Sequence, residues 1–428
     1  MTSVLCRTCL TAGLIFLIAP PFGGASTSAA QDTPATIGAR LLRDETVQRA
    51  LDAVKLDEPA IVADQIRLCA VPAPPFNEAA RAAVYSNAFQ ALGLANVRTD
   101  AAGNVLGERR GRASRPHLVV SAHLDTVFPE GTPVVASRAG AVLSGPGIAD
   151  DCRGLAVLLG VIRALDAANV RTTGSITFVG TVGEEGLGDL RGVKHLFTAG
   201  PKGTIDRFVS VDGAGMGITA TAVGSLRYRV TFTGAGGHSY GDFGIANPLH
   251  ALGRAVARIA DMEVPREPRT TFNVGRIGGG TSVNSIASTA WMEVDLRSSA
   301  PAALGALDAG LQNALEGAVT DENARAGNRG RVAVRREVVG NRPGGRNAPD
   351  APIVAAALSV TRALGYPTEV DEGSTDANVP IALGIPAITI GGGGAAQGTH
   401  TTYETFDTTD SWQGSMRALL LVVALTEP

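Results

Sequence analysis

The sequence predicts an α/β fold with a mostly parallel sheet, into which a smaller α+β domain is inserted. Three continuous apolar runs, at residues 117–122, 175–182 and 208–211, are typical of strands buried on both faces, and helical segments separate them. From residue 224 onward apolar and polar residues alternate, which indicates a sheet with one solvated face. A chain of 428 residues is also long enough to form more than one core.

The first predicted domain covers residues 31–222 and contains the three buried strands. Ahead of them, the apolar spacing predicts helices and one short strand pair. These elements are expected at 31–57, 61–68, 79–92, 97–99 and 104–108. Between the buried strands, helical runs are expected at 155–162 and 193–197. This alternation of strands and helices is typical of a parallel sheet.

The inserted domain is predicted at residues 223–340, and the chain then returns to the first domain at 341–428. Its elements follow the order strand, helix, strand, strand, helix, strand, at 226–232, 248–262, 271–277, 292–296, 302–318 and 331–339. That order is typical of the split β-α-β unit of ferredoxin-like folds. A helix, a strand and a helix then complete the outer domain, at 352–364, 386–390 and 412–425.

The N-terminus has the features of an export signal, which predicts a periplasmic or secreted protein. Arg7 precedes an apolar run at 10–19 that is too short to span a bilayer. The small residues Ser28 and Ala30 fit a cleavage site, so residues 1–30 are the predicted signal peptide. A retained anchor is the alternative; after cleavage we expect no membrane association.

Composition excludes some partners and leaves one covalent question open. Lys and Arg total 37 against 40 Asp and Glu, giving a formal net charge of −3 with no basic stripe, which argues against binding to nucleic acid. Cys69 and Cys152 would remain after signal cleavage as one potential disulfide, whose formation the sequence does not decide.

The segment GPGIADDCRG, at residues 145–154, contains two adjacent carboxylates where a loop enters a helix. Neighbouring carboxylates repel each other, and a divalent metal can offset this repulsion because one carboxylate can bridge two cations. The alternative is that the acidic pair caps the helix N-terminus, as Asp does in many helices. Polar residues elsewhere in the chain favour the metal.

These polar residues follow the buried strands at their carboxyl ends, where open α/β sheets bind ligands. The candidates at these strand ends are His123, Asp125, Glu184, Glu185 and Asp212. Asp150, in the loop before the helix, and His400, in a late loop, complete the set. Two imidazoles and three carboxylates suit a pair of zinc-like ions that share one carboxylate. Asp125 lies two residues after His123, so its carboxylate can accept the second imidazole N–H. Of the adjacent glutamates, one can ligate a metal while the other faces the attacking water.

The motifs SAHLDTV, GPGIADDCRG, GTVGEEG, SVDG and GTHTTYE, in this order over residues 61–428, resemble those of a two-metal (zinc) metallopeptidase family. That family includes peptidase T, carboxypeptidase G, aminoacylase and succinyl-diaminopimelate desuccinylase. The resemblance implies two divalent ions, with Zn²⁺ favoured and Co²⁺ or Mn²⁺ as alternatives. It implies His123 and Asp212 on one metal, Glu185 and His400 on the other, and Asp150 as the bridge.

The resemblance also implies roles around the metals. It implies that Glu184 is the general base, that Asp125 orients His123, and that the peptide bond after Asp150 is cis. Relatives often carry Lys where this chain has Cys152, so local charge and substrate preference can differ here.

For the inserted domain, the resemblance implies a lid and dimerisation domain, and therefore a homodimer. His238 in GGHSY resembles a histidine that reaches the partner subunit's site and polarises the substrate carbonyl. Asn284 and Arg297 resemble residues that hold substrate oxygens or a carboxylate. Ser374 and Asp376 lie in a segment that resembles a loop lining the substrate pocket.

These features predict an exported two-metal hydrolase that cleaves amide bonds of short peptides, as a di- or tripeptidase or as a carboxypeptidase-like exopeptidase. Glu184 would assist the attack of water on the carbonyl carbon. The main alternative is an N-acyl amino acid deacylase or desuccinylase of the same family. A non-catalytic binding protein and a metal-stabilised structural protein are disfavoured, because neither needs Glu184 beside a complete ligand set.

Overall fold

The computed structural model describes residues 33–200 and 203–428. Residues 33–428 form one compact unit that is not divided further. The predicted domain boundaries at 222/223 and 340/341 are therefore not tested and stay predictions. The predicted signal peptide at 1–30 lies outside the described residues. Among the helices that are described, none has the length and hydropathy needed to cross a membrane.

The helices begin and end as follows: α1 (Ile37–Leu41), α2 (Glu45–Leu56), α3 (Glu58–Cys69), α4 (Ala79–Ala91), α5 (Cys152–Ala167), α6 (Arg191–Thr198), α7 (Pro248–Ala260), α8 (Pro301–Ala326), α9 (Pro352–Ala363), α10 (Asn378–Ala382) and α11 (Trp412–Leu425). The strands are β1 (Ala95–Thr99), β2 (Val105–Arg109), β3 (His117–His123), β4 (Ser137–Ala139), β5 (Val142–Ser144), β6 (Ser175–Thr181), β7 (Arg207–Val211), β8 (Ile218–Ala222), β9 (Gly224–Thr233), β10 (Gly237–His238), β11 (Thr270–Gly279), β12 (Ser285–Ile286), β13 (Thr289–Ser298), β14 (Ala333–Arg342), β15 (Gly345–Arg346), β16 (Val370–Gly373), β17 (Ala387–Ile390), β18 (Ala395–Gln397) and β19 (Thr405–Asp407).

The central sheet runs in the order β1-β2-β6-β3-β7-β17-β8-β15, with β16 paired to β8. Its centre is parallel, because β6, β3, β7 and β17 are parallel neighbours, while antiparallel strands lie toward both edges. The apolar runs of the sequence form these central strands, which are buried on both faces. The predicted α/β fold with a mostly parallel sheet is confirmed.

Helix α5 anchors the loop that carries Asp150. It packs against β3 of the sheet and against α2, α3 and α11, so it is buried around nearly its whole circumference. Such burial of an apolar helix contributes much of the hydrophobic stabilisation of the domain. The loop that enters α5 is therefore attached to one of the best-packed elements of the structure.

A second sheet is antiparallel and runs in the order β11-β13-β9-β14, with α7 and α8 packed on one face. This is the strand order of a ferredoxin-like unit, as the sequence predicts. Alternate residues of β9, Tyr228, Val230 and Phe232, face the helices and are buried. Helix α8 continues beyond the predicted end at residue 318, because buried residues recur until Ala326 and Gly327 then adopts φ 63°.

A small sheet in the order β18-β19-β5-β4 was not predicted. Each of its strands is three residues long, which is too short for an alternating pattern to be visible in the sequence. It brings the turn at Gly145 against the loop that ends at Glu404, since the Gly145 N–H donates to the Glu404 carbonyl over 2.9 Å. Two distant loops of the predicted site therefore lie side by side.

Cys69 and Cys152 form a disulfide, with their Cα atoms 5.6 Å apart. It joins the last residue of α3 to the first residue of α5, across a sequence separation of 83 residues. The pairing that the sequence left open is therefore present, and both cysteines are buried.

Replacing Cys69 and Cys152 by Ala should lower the free energy of unfolding by about 2–4 kcal/mol, because the cross-link restricts the unfolded chain. Urea denaturation of wild type, Cys69→Ala and the double variant measures this. The single and double variants should lose similar amounts, since either removes the bond. Equal stability of wild type with and without reductant would contradict the prediction.

Candidate metal centre

The predicted ligands come together at the carboxyl edge of the central sheet. His123 ends β3, Glu185 lies four residues after β6, and Asp212 directly follows β7. Asp150 arrives on the loop before α5, and His400 arrives on the loop between β18 and β19. The topology therefore collects side chains that are up to 277 residues apart in sequence, His123 and His400 being the extremes.

Asp150 lies between the two imidazoles. Its Oδ1 is 2.9 Å from His123 Nε2, and its Oδ2 is 3.1 Å from His400 Nε2. The same His400 nitrogen is 2.9 Å from Glu185 Oε1, and Asp212 Oδ1 is 3.8 Å from His123 Nε2. One carboxylate therefore faces two nitrogen donors, each with a further carboxylate beside it.

This donor set fits two divalent cations. The ligand atoms of His123, Asp150 and Glu185 lie within 4.8 Å of one another, and so do those of His123, Asp151 and Asp212. Imidazole nitrogen and carboxylate oxygen are the ligands that zinc-like ions accept in proteins. These clusters contain four of the five predicted ligands, but they do not reproduce the predicted pairs His123 with Asp212 and Glu185 with His400 around Asp150. The assignment of ligands to two ions stays a prediction and belongs to the proposal below.

The two aspartates of GPGIADDCRG have different surroundings. The carboxylate of Asp151 caps α5, accepting the Gly154 N–H over 3.0 Å, and also accepts the N–H of His123 over 3.0 Å and of Gly213 over 3.2 Å. Asp150 instead points to the imidazoles. The peptide bond between them is cis, as the resemblance implied. Asp151 therefore makes the contact that the capping interpretation describes, while Asp150 faces the imidazoles as the metal-binding interpretation expects.

The sequence predicts that the Asp125 carboxylate accepts the ring N–H of His123, and the structure differs on this point. His123 Nδ1 donates to the backbone carbonyl of Asp125 over 3.0 Å, while the Asp125 carboxylate lies 3.8 Å from that nitrogen. The carboxylate instead accepts the N–H of Glu184 over 3.1 Å and of Glu185 over 2.8 Å. Asp125 therefore fixes the imidazole through its main chain and the glutamate loop through its side chain.

Crowding of charges shifts the pKa values of the site. Burial raises the pKa of Asp212 to about 7 and raises that of Glu184 well above its ordinary value. Hydrogen bonds with Asp150 and Glu185 raise the pKa of His400 to about 10. The carboxylates of this site also repel each other, which adds to the raised pKa values of Asp212 and Glu184, and a bound cation would offset the same repulsion.

Two residues that the sequence analysis missed hold the site in place. The buried Glu404 carboxylate accepts the N–H groups of Ala149, Asp150 and Gly147 over 2.7, 3.0 and 3.3 Å, so it fixes the loop of Asp150. Arg342 Nη1 lies 3.2 Å from Glu184 Oε1. Glu404 is part of the quoted motif GTHTTYE, whereas Arg342 has no signal in the sequence, because its role depends on a tertiary contact.

The predicted substrate residues fall into two groups. Arg297 and Ser374 line one cavity of 270 Å³ between the two sheets, and Ser374 Oγ accepts from Arg342 over 3.3 Å. Asp376 is fully buried and accepts from the Thr181 hydroxyl over 2.5 Å, and burial raises its pKa to about 6. Asp376 does not line the cavity that Arg297 and Ser374 share.

His238 ends β10 and Asn284 directly precedes β12, and the Ser239 N–H donates to the Asn284 carbonyl over 3.0 Å. Within residues 33–200 and 203–428, no hydrogen bond or ion pair links either side chain to the predicted metal ligands. His238 is exposed. These two residues are thus separate from the site of their own chain.

Comparison with known proteins accounts for this arrangement. A family model described as peptidase family M20/M25/M40 matches residues 119–424. The chain belongs to this family. The family depends on two metal ions, and the described residues contain the candidate ligand groups. The family membership that the resemblance implied is confirmed. The prediction of an enzyme of the metallopeptidase and amidohydrolase type is also confirmed.

Individual relatives have different activities. The uncharacterized protein YqjE of Bacillus subtilis is 27% identical over 351 residues, 78% of this chain and 90% of that protein. Succinyl-diaminopimelate desuccinylase of Leptothrix cholodnii is 30% identical over 229 residues, 49% of this chain and 58% of that protein. Aminopeptidase PepT of Bacillus cereus has a similar fold, with a TM-score of 0.69 and 23% identity over 86% of this chain and 99% of that one.

Asp150→Ala should remove both metal ions together, because Asp150 faces both imidazoles. Elemental analysis after zinc loading and desalting measures this. Asp166→Ala, which removes a surface carboxylate that pairs with Arg109, is the matched control and should keep two equivalents. Two equivalents retained by Asp150→Ala would contradict its assignment as the bridge.

Proposed function

We propose that this M20-family protein is an exported hydrolase that uses two metal ions to cleave amide bonds of short peptides, as a di- or tripeptidase or a carboxypeptidase-like exopeptidase. One observation carries the proposal. Glu184 is a buried carboxylate beside the ligand set, with Oε1 directed to Arg342, whereas the neighbouring Glu185 faces His400. A site that only bound metal would not need this additional acid.

In this mechanism His123 and Asp212 would hold one ion, Glu185 and His400 the other, and Asp150 both. The ions, when bound, polarise the scissile carbonyl and offset the negative charge that develops there. Glu184 accepts a proton from the attacking water as the C–O bond forms. It then donates that proton to the amide nitrogen as the C–N bond breaks. Its burial, which raises the pKa, suits a group that must both accept and donate a proton.

Zinc is the metal we propose, with Co²⁺ or Mn²⁺ as alternatives. A mixture of imidazole nitrogens and carboxylate oxygens suits zinc, whereas Mg²⁺ and Ca²⁺ prefer oxygen ligands throughout. Both predicted sites contain one imidazole and at least one carboxylate, so the two ions would have similar surroundings.

The second candidate function is N-acyl amino acid deacylation or desuccinylation. The sequence similarity to a succinyl-diaminopimelate desuccinylase favours it, while the fold similarity to aminopeptidase PepT extends over nearly all of that chain. Both reactions attack an amide carbonyl, so the metal site serves either one. The segment 374–378, which contains Ser374 and Asp376, resembles the corresponding loop of the peptidase T-like branch, and on that basis we favour peptides.

Export and dimerisation complete the proposal. The sequence of residues 1–30 supports export, and the disulfide suits the oxidising compartments outside the cytosol. For a homodimer through the inserted sheet, support comes from exposed apolar side chains near His238, with Tyr240 89% and Phe243 75% exposed. Strand β11 is also an open edge of its sheet within the described residues.

A substrate panel of zinc-loaded protein tests the proposed reaction. We expect turnover of di- and tripeptides in preference to N-succinyl and N-acetyl amino acids. Glu184→Gln should lower kcat by about 10²–10⁴-fold with both metals retained, because proton transfer is lost. Glu185→Gln should instead lose one metal equivalent. Cleavage of acyl amino acids alone would favour the deacylase, and a fully metallated wild type that cleaves none of these substrates would overturn the proposed reaction.

His238 is proposed to act on the site of the partner subunit, so activity should be recoverable by mixing. His238→Ala should lose turnover while keeping both metals, since it lies apart from the ligands. When His238→Ala is mixed with Glu184→Gln under subunit exchange, one site of each heterodimer has both residues and should be active. An inactive mixture with proven heterodimers, or a fully active monomer, would contradict action across the dimer.

A further inference from the structure

We infer that Arg342 is a positioning residue for Glu184 and that it couples the inserted antiparallel sheet to the proposed general base. The inference rests on the proposed function in one respect, the role of Glu184 as base. Its structural part, the coupling of the sheet to the loop that carries Glu184, rests on contacts alone.

Arg342 holds both the side chain and the main chain of Glu184. Its Nη1 is 3.2 Å from Glu184 Oε1, and its Nη2 donates to the Glu184 backbone carbonyl. Nη1 also donates to Ser374 Oγ over 3.3 Å. Both partners of the ion pair are buried, with side chains 4% and 7% exposed. A guanidinium with these contacts fixes the direction of the carboxylate as well as its position.

Arg342 also lies where the chain passes from the antiparallel sheet to the central sheet. It is the last residue of β14, where it pairs with Ser225 of β9 in the antiparallel sheet. Three residues later, Gly345 begins β15 and pairs with β8 of the central sheet. Arg342 therefore belongs to one sheet while its guanidinium contacts the site of the other.

The crossing between the sheets is narrow. A Cβ atom placed on Gly224 would lie 2.7 Å from the backbone nitrogen of Gly344, so the two connecting segments approach as closely as only glycine allows. A rotation of the inserted sheet about this crossing would move Arg342 with it.

Other contacts from the inserted sheet reach the same loop. Arg227 of β9 donates to the Gly186 carbonyl, and the Asn341 N–H donates to Asp189 Oδ1 over 2.7 Å. On the opposite side, the Asp125 carboxylate accepts the N–H groups of Glu184 and of its neighbour. The loop at 183–190 is thus held between the two sheets, and Arg342 supplies its only described charged contact with the Glu184 carboxylate.

Kinetics of zinc-loaded Arg342→Ala and Arg342→Lys test the positioning role. Arg342→Ala should lower kcat by about 10²-fold with KM and metal content unchanged, the loss typical of a misplaced catalytic group. Arg342→Lys should recover part of kcat, and guanidinium ion at non-denaturing concentration should rescue Arg342→Ala but not Glu184→Gln. Arg336→Ala, on the same strand but paired with Asp308, is the matched control and should retain wild-type kcat.

Hydrogen exchange tests the coupling without any turnover. In Arg342→Ala the amides of residues 183–190 should exchange faster than in wild type and in Arg336→Ala, while the remainder of the central sheet stays protected. Unchanged exchange in that loop would overturn the coupling even if the protein proved inactive on every substrate.

The kinetic outcomes separate the alternatives. A raised KM with unchanged kcat would show that Arg342 binds substrate instead of positioning Glu184. Loss of a metal equivalent would show that it acts through Glu185. Either result overturns the inference while leaving the proposed hydrolase intact, whereas absence of wild-type turnover would overturn the hydrolase alone. Arg342→Lys keeps the test valid if Arg342→Ala does not fold.

Discussion

Carboxylate repulsion at the carboxyl edge of the central sheet is the constraint on which the rest of the site depends. Asp150, Asp151, Glu184, Glu185 and Asp212 all lie there, mostly buried, where unpaired charges are costly. The surrounding structure offsets that repulsion in three ways. Backbone N–H groups donate to the Asp151 carboxylate, the Arg342 guanidinium contacts the Glu184 carboxylate, and two imidazoles contact the Asp150 carboxylate. The remaining negative charge is what makes this edge suitable for cations.

The predicted catalytic residues and most of the predicted substrate residues lie in different parts of the chain. The central sheet carries the ligands and the proposed base, because parallel strands end at one edge and bring polar residues together. His238 and Asn284 lie at the ribbon of β10 and β12, and Arg297 lies on β13 of the inserted sheet, where it pairs with Asp295. Under the proposed function, substrate preference would depend on these surrounding residues, which a shared set of metal ligands does not specify.

The sequence predicts the parts of this molecule that follow from periodicity and from local motifs. The buried strands, the ferredoxin-like order and the convergence of His123, Asp150 and Glu185 are all visible in it. It does not predict contacts that depend on tertiary approach. The hydrogen bonds from the Asp150 loop to Glu404 are one example, because the motif that contains Glu404 does not indicate which backbone groups its carboxylate accepts. The three-residue strands nearby are another, because they are too short to show an alternating pattern. The Asp125 carboxylate was expected on His123, since spacing alone cannot distinguish a side-chain acceptor from the backbone carbonyl of the same residue.

The disulfide has a consequence for how the protein should be prepared. Residues 69–152 form a covalent ring that encloses His123, Asp125 and Asp150, whereas Glu185, Asp212 and His400 lie outside it. Two of the five predicted metal ligands, His123 and Asp150, are therefore tethered before any ion arrives. Material produced in a reducing cytosol lacks this ring, so titrations on it would describe a looser apoprotein than the oxidised one.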